Sequence, residues 1–188
     1  MKKAKKGIKN PYLQRFKAMS EDWQNKRRNK LVLAYSWAVP NREALGAIAQ
    51  YTPNNEVVEM GAGTGYWAYL LSQMSITVYA WDKNPYHNRH CDAHWGDVMP
   101  GGPEKLSRFS NIPMLLVWPP YDDDMATKSL LAYKGNTLIY VGEGEWGCCA
   151  NDSFFDALHC EWKEVENIEI PQFQCIHDSM SVFKRLQT

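Results

Sequence analysis

Residues 56–82, EVVEMGAGTGYWAYLLSQMSITVYAWD, decide the fold of this chain. A short apolar run leads into three glycines on alternate positions, Gly61, Gly63 and Gly65, and an apolar stretch at helical spacing follows. A second β-rich run then ends in the acidic residue Asp82. The order strand, tight turn, helix and strand is typical of the βαβ unit that holds a nucleoside.

The spacing of the glycines indicates which class of nucleoside ligand the turn would bind. A dinucleotide site needs glycine at the first, third and sixth positions of the turn, and the sixth position counted from Gly61 is Tyr66. This spacing disfavours a nicotinamide-dependent oxidoreductase. An acidic residue at the end of the second strand binds ribose hydroxyls, which is the role expected for Asp82.

The Glu-x-Gly-x-Gly-x-Gly spacing that begins at Glu59 resembles the first motif of the class I S-adenosylmethionine-dependent methyltransferases, and Asp82 stands where that family has its ribose-binding acid. The resemblance implies S-adenosyl-L-methionine as cofactor. It also implies a three-layer, Rossmann-like α/β fold with a seven-stranded sheet in the order 3-2-1-4-5-7-6 and an antiparallel last strand. Alternating predicted strands and helices, with a β-hairpin near the end, agree with this order.

The resemblance implies further cofactor contacts. Gly96 and Asp97 resemble the family's Gly-Asp pair, whose carboxylate accepts a hydrogen bond from the adenine amino group. In this family the segment before the helix at residues 41–51 often closes over the cofactor, so Tyr35 and Trp37 are candidates for a lid, the alternative being core aromatics. The expected cofactor-binding residues are Trp37, Glu59, Gly61, Gly63, Gly65, Tyr66, Trp67, Asp82, Asp97, Val98 and Trp118.

Residues 114–118 predict a buried strand, and Trp118-Pro119-Pro120-Tyr121 at its end resembles the Asn/Asp-Pro-Pro-Tyr motif of methyltransferases that act on nucleobase or glutamine amines. In that motif the first side chain accepts a hydrogen bond from the amine, whereas an indole N–H can only donate. Trp118 and Tyr121 would instead stack on an aromatic or cationic acceptor. The alternative is that Trp118 packs on the adenine or in the core.

His177, followed by Asp178, is the acid/base candidate, because its loop opens onto the active face and histidine titrates near neutral pH. The alternative is a structural or solvent-facing histidine. The expected catalytic residues are Trp118, Pro119, Pro120, Tyr121 and His177.

The segment between Asp82 and Asp97 is too short, and too rich in proline and asparagine, for a long helix. It contains a group of potential metal ligands, namely His87, His90, Cys91, Asp92 and His94. Their spacing matches neither a paired-cysteine zinc site nor an HExxH helix, so no metal is expected.

Length and composition predict one soluble domain with no membrane span, because no apolar stretch reaches about 18 residues. The basic start of the chain has no apolar segment behind it, which disfavours secretion. Five cysteines without a CxxC pair indicate reduced thiols, and we therefore expect a cytoplasmic protein.

The net charge of zero hides an asymmetry, because residues 1–30 hold eleven Lys or Arg against two acidic residues. We expect a basic N-terminal arm with a helix over residues 12–29, followed by a cofactor-binding domain over residues 31–188. The arm is a candidate for binding nucleic acid or an anionic surface, and the alternative is a solvated, mobile terminus.

Together these patterns predict an S-adenosylmethionine-dependent methyltransferase with an unidentified acceptor. The alternative is a non-catalytic S-adenosylmethionine-binding module that docks on a partner or nucleic acid through the basic arm. The indole at position 118 favours this alternative, because it removes the acceptor that orients an amine.

Overall fold

The computed structural model describes residues 7–85 and 90–186, and a seven-stranded sheet lies at its centre. The strands are β1 (Glu56–Met60), β2 (Thr77–Asp82), β3 (Met99–Pro100), β4 (Met114–Val117), β5 (Thr137–Gly142), β6 (Trp162–Glu169) and β7 (Ser179–Arg185). Their order is β3-β2-β1-β4-β5-β7-β6. Strands β1 to β5 pair in parallel, whereas β7 is antiparallel to both of its neighbours. The predicted fold class and strand order are confirmed.

Helices flank the sheet, and three of them begin at asparagine caps. The helices are α1 (Pro11–Lys17), α2 (Glu21–Ala34), α3 (Arg42–Tyr51), α4 (Tyr66–Ser72), α5 (Met125–Ala132) and α6 (Asp152–Glu161), with a 3-10 helix over Pro103–Arg108. The Asn41 side chain accepts a hydrogen bond from the Ala44 amide at 2.8 Å, as predicted for the start of α3. No helix among the described residues is long and apolar enough to cross a membrane.

The sheet separates two apolar layers, because successive side chains of a strand point to opposite faces. Val57 of β1 packs in a cluster that includes Leu45 of α3, whereas its neighbour Val58 packs in a cluster that includes Leu130 of α5. All four side chains are buried. The continuous apolar run in β4 is buried along its whole length, as expected for a central parallel strand.

The two edges of the sheet differ from its centre. Strand β3 has only two residues, and Phe109, which follows the 3-10 helix, packs its ring 5.3 Å from that of Tyr79 in β2. Residues 83–85 and 90–98, the described parts of the segment between β2 and β3, contain no helix, in agreement with the sequence. On the other edge, β6 exposes charged side chains and is interrupted by a bulge between Glu164 and Glu166.

The N-terminal extension differs from the single helix predicted over residues 12–29. It forms α1 and α2, with a break at residues 18–20 that is held by the Gln24 side chain, which donates to the carbonyls of Phe16 and Met19. Because the break restarts the helical phase, Trp23 does not share the buried face of Phe16 and is 52% exposed. The domain boundary expected after residue 30 lies inside α2.

A buried hydrogen-bond network joins this extension to the helix that follows the glycine turn. The Tyr66 hydroxyl accepts from the Tyr12 amide at 3.1 Å and donates to Asn10 Oδ1 at 2.9 Å. The Tyr12 ring stacks on Tyr35 at 4.8 Å, and the Asn10 amide group donates to the Pro40 carbonyl. The extension is therefore packed into the same apolar core as the sheet.

Replacing Tyr66 with Phe should destabilise the fold, because the buried Tyr12 amide then loses its acceptor. A buried donor left without a partner costs about 1–3 kcal/mol. Denaturant unfolding of Tyr66→Phe measures this loss. Tyr79→Phe is the matched control, since its hydroxyl donates to Glu56 near solvent, which can replace the bond. Equal stability of the two variants would contradict the network's role.

Candidate functional site

The carboxyl ends of the parallel strands open into a cavity of about 1240 Å³. Residues from the turn after β1, the end of β2 and the end of β4 line it, including Gly61, Asp82 and Trp118. In an open α/β sheet, this edge is where ligands bind.

The turn after β1 requires glycine for both conformation and space. Gly61 has a φ of +74°, and a Cβ atom there would lie 2.9 Å from the Met125 methyl carbon. Gly65 has a φ of +71°, and its Cβ would meet Val98 at 2.9 Å and the Gly96 backbone at 3.1 Å. The first glycine therefore keeps main chain exposed to the cavity, whereas Gly65 allows the turn to pack against the segment before β3.

Asp82 is buried at the end of β2, and two backbone amides orient its carboxylate. Oδ2 accepts from the Gly63 amide at 3.0 Å, and Oδ1 accepts from the Asn84 amide at 2.9 Å. Because Asp82 lines the cavity, its carboxylate is fixed beside the glycine turn.

Glu59 is a buried carboxyl group on the cavity floor. Its side chain is 1% exposed, and among the described residues Oε2 has no hydrogen-bond partner. Burial raises the pKa of Glu59 to about 8, and the nearby charge of Asp82 adds to this effect, although a backbone hydrogen bond from Ala68 opposes it. A cationic ligand group in the cavity would give this oxygen a partner and favour its ionised form.

Two stacked indoles form one wall of the cavity. The rings of Trp37 and Trp118 lie 5.1 Å apart with an interplanar angle of 24°. The Arg28 guanidinium lies 5.4 Å from the Trp37 ring centroid and 5.7 Å from that of Trp118. Trp118 has a φ of +49°, an uncommon conformation for a residue other than glycine. The indole is therefore held by aromatic and cation–π contacts at a strained backbone position.

The Trp118 indole N–H is engaged behind this wall, because it donates to Asp178 Oδ1 at 2.7 Å. Burial raises the pKa of Asp178 to about 7, and the hydrogen bond from Trp118 opposes this shift. The charge of Glu143 raises the pKa further and that of Arg28 lowers it. Glu143, also buried, accepts from the amides of Cys148 and His177 and so joins the two loops around Asp178.

The turn after β4 is fastened to the loop after β5. The Ala150 amide donates to the Pro119 carbonyl at 3.1 Å, and the Asp122 amide donates to the Ala150 carbonyl at 2.8 Å. Pro120 and Tyr121 line the cavity, and Tyr121 is 69% exposed at its mouth. The turn therefore presents an aromatic side chain where an incoming molecule would enter.

Solved structures resemble this chain at low sequence identity. A variant of MtNAS in complex with S-adenosylmethionine has a TM-score of 0.52 and 9% identity, over 94% of this chain and 71% of that chain. MtNAS in complex with MTA and tNA has a TM-score of 0.50 and 8% identity, over 95% and 70%. This chain shares with them a Rossmann-like α/β fold built on a seven-stranded sheet.

The N-methyltransferase NodS from Bradyrhizobium japonicum is less similar, with a TM-score of 0.41 and 12% identity over 78% of this chain and 96% of that chain. No protein-family model and no curated protein matches this sequence. The fold is therefore supported by the shape of the chain and by its motifs.

Within this fold, the cavity brings together most of the residues expected to bind the cofactor or the acceptor. The lining includes Trp37, Glu59, Gly61, Gly63, Trp67, Asp82, Trp118, Pro120 and Tyr121. It does not include Gly65, Tyr66, Asp97, Val98, Pro119 and His177.

The expected residues that lie outside the lining have other surroundings. Tyr66 belongs to the N-terminal network, although its neighbour Trp67 on α4 lines the cavity and donates to Ser36 Oγ at 3.0 Å. Asp97 is exposed, and His177 contributes its backbone amide to Glu143 while its side chain is exposed. The structure thus does not place the His177 imidazole at the cavity wall.

Sequence reasoning missed two residues that shape the site. Arg28 reaches the Trp37–Trp118 stack from α2, and Met125 contacts the glycine turn from the start of α5. Both contacts join positions far apart in sequence and follow no local pattern. Only the general rule that helices pack over the sheet could have suggested them.

The potential metal ligands do not converge in the described residues. His90, Cys91, Asp92 and His94 lie in the described part of their segment, and no group of three metal-ligating side chains is found there or elsewhere in residues 7–85 and 90–186. His87 lies outside the described residues. Cys91 lines the cavity, and burial raises the pKa of its thiol to about 11.

The raised pKa of Asp178 predicts a pH-dependent stability. Between about pH 4 and 7 the folded protein holds a proton on Asp178 that the unfolded chain releases, so the free energy of unfolding should fall as the pH rises. Asp178→Asn keeps an oxygen acceptor for Trp118 but cannot titrate. The free energy of unfolding should therefore fall less steeply with pH, and the decline that remains comes from Glu59, whose pKa is also raised. Unfolding by denaturant at several pH values tests this.

The variant Trp118→Phe supplies a comparison, because it removes the hydrogen bond that opposes the effect of burial on Asp178. The free energy of unfolding of this variant should continue to fall up to a higher pH than that of the unchanged protein. Parallel pH profiles for all three proteins would mean that Asp178 does not titrate in this range.

Proposed function

We propose that this chain is an S-adenosylmethionine-dependent methyltransferase. The observation that carries the proposal is the cavity at the carboxyl ends of β1, β2 and β4, where an orphaned carboxyl oxygen of Glu59 and the oriented carboxylate of Asp82 flank the glycine turn. The Rossmann-like α/β fold supports it, as does the S-adenosylmethionine bound by the MtNAS variant.

The residues present fit this cofactor. Asp82 would accept hydrogen bonds from the ribose hydroxyls, and the backbone at Gly61 and Gly63 would allow close approach. Glu59 would provide the negative charge that faces a cationic part of the ligand. When bound, S-adenosylmethionine supplies a methyl group on a positively charged sulfur.

The protein's own contribution to transfer would be alignment and the exclusion of water. Trp37 and Trp118 wall the cavity with apolar surface, and Tyr121 stands at its mouth. The Trp118 indole can only donate a hydrogen bond, and its N–H already donates to Asp178, so this side chain offers no acceptor for an amine proton. Ring stacking is therefore the means by which the site would position an acceptor.

A second candidate function is a binding module without turnover. It is favoured by the exposed position of the His177 side chain and by the burial of Asp178 behind Trp118, which leave no acid/base group of this pair in the cavity lining. Incubation with S-adenosylmethionine labelled in its methyl group and with fractionated cell extract separates the two functions. Label transferred to an acceptor establishes an enzyme, and binding without transfer favours the module.

Replacing Asp82 with Ala should weaken cofactor binding, because the ribose hydroxyls lose a charged acceptor. Such hydrogen bonds contribute about 1.5–3 kcal/mol, so the affinity for S-adenosylmethionine should fall roughly 10-fold to more than 100-fold. Calorimetric titration measures the change. Asp156→Ala is the matched control, since Asp156 is exposed on α6 and lies outside the cavity lining. Unchanged affinity in Asp82→Ala would overturn the cofactor assignment.

Cofactor binding should also depend on pH through Glu59. Below about pH 8 this buried carboxyl is protonated in the free protein, and a cationic ligand favours its ionised form. Affinity should therefore increase toward about pH 8, and binding near neutral pH should release protons, seen by calorimetry as a dependence on the ionisation enthalpy of the buffer. Glu59→Gln should bind more weakly and lose both effects. A pH-independent affinity in the unchanged protein would contradict this role.

A further inference from the structure

The outer face of α2 carries an exposed tryptophan among cations. The Trp23 side chain is 52% exposed, with Lys26 Nζ 5.8 Å and Arg27 Cζ 5.5 Å from its ring centroid. Arg27 and Lys30 are also exposed. Among the described residues, Lys26 is the one cation of α2 with a carboxylate at ion-pair distance, that of Asp22.

We propose that this face of α2, formed by Trp23, Lys26, Arg27 and Lys30, binds single-stranded nucleic acid. Lysine and arginine side chains neutralise backbone phosphates, and an exposed aromatic ring is a platform on which an unpaired base stacks. The combination of ring and cations on one helix face matches both requirements.

The charge distribution of the chain favours its N-terminal region, which includes this face, as the place where a polyanion would bind. Residues 1–30 hold eleven basic residues against two acidic ones, whereas the remainder holds ten against nineteen. A polyanion would be repelled by most of the domain and attracted to the N-terminal helices.

The apolar residues of α2 argue against a membrane surface as the partner. Leu31 and Val32 are buried in the core, so the helix has no free apolar face to insert between lipids. Trp23 alone supplies apolar surface on the exposed side. A base, which stacks on a single ring, is the better match.

The same helix forms part of the cavity wall. Arg28, next to Arg27, contacts the rings of Trp37 and Trp118, and Val32 lines the cavity. Trp23 and Val32 are nine residues apart, or about 14 Å along the helix axis. Asn25 fixes the helix by a hydrogen bond to Gln174. The Trp23 and Val32 side chains lie on opposite sides of the helix, so a strand bound on the outer face of α2 would have to continue around the helix to enter the cavity. A strand that does so makes nucleic acid the substrate class that we propose for the site; this last step rests on the proposed function.

Binding is tested with the intact protein, without cofactor, by fluorescence anisotropy on labelled oligouridine and oligodeoxythymidine of about 20 nucleotides, a length that exceeds typical single-strand site sizes. Affinity should fall steeply between about 50 and 200 mM NaCl as counterions are released. Trp23→Ala should weaken binding about 5- to 100-fold with little change in the salt dependence, since stacking contributes about 1–3 kcal/mol per base. Arg27→Glu with Lys30→Glu should weaken binding and make the salt dependence shallower.

The control variant is Lys163→Glu, which reverses an exposed charge on β6 away from α2. Its binding should equal that of the unchanged protein, and circular dichroism of each variant verifies that the fold is kept. Absence of binding at low salt, or equal losses in Trp23→Ala and Lys163→Glu, would overturn the proposal. Binding to vesicles of anionic lipid without binding to oligonucleotides would also overturn it and identify a membrane partner.

Titration with S-adenosylmethionine is measured separately. Oligonucleotide binding without cofactor binding would support the nucleic-acid site on α2 and contradict the proposed methyltransferase function. Cofactor binding without oligonucleotide binding would support the proposed cofactor and contradict the nucleic-acid site on α2.

Discussion

The hydrogen bond from the Gly63 amide to Asp82 is the interaction on which the site depends. It joins the turn after β1 to the end of β2, and the amides of Gly61 and Ala62 add two bonds to the Trp81 carbonyl. Two parallel strands that end side by side are thereby tied at their carboxyl ends. The positive φ angles of the glycines shape the main chain of the turn, and the Asp82 carboxylate lies beside it. These bonds hold the two strand ends together on this side of the cavity.

The cavity wall formed by Trp37 and Trp118 depends on a group of buried charged residues behind it. Asp178 and Glu143 are both nearly inaccessible to water, and the Arg28 guanidinium lies close enough to Asp178 to lower its pKa. Buried charges are costly unless neighbouring donors compensate them. Here the compensation comes from the Trp118 indole and from the amides of two loops, so the position of Trp118 and the electrostatics behind it are set together.

Local patterns in the sequence predicted the sheet, and they singled out the glycine turn and Asp82, which line the cavity. Strand order followed from the motif at Glu59 and the alternation of elements, and the cap at Asn41 was visible from one residue. Contacts between distant positions were not predictable in this way. Three features depend on how separate elements pack. They are the contact of Arg28 with Trp118, the break after α1 and the hydrogen bond from Tyr66 to Asn10. The same holds for Asp97, whose exposure follows from the path of the loop before β3.

The edges of the sheet limit how this chain can associate. An open strand edge invites pairing with another chain, and proteins block it with short strands, charges or bulges. This sheet has all three, since β3 is two residues long and β6 combines exposed Lys163 and Glu164 with a bulge at the next residue. Backbone-to-backbone extension of the sheet into an aggregate is therefore disfavoured at both sides. Any partner must be recognised through side chains on helices and loops, which can be specific where a strand edge is not.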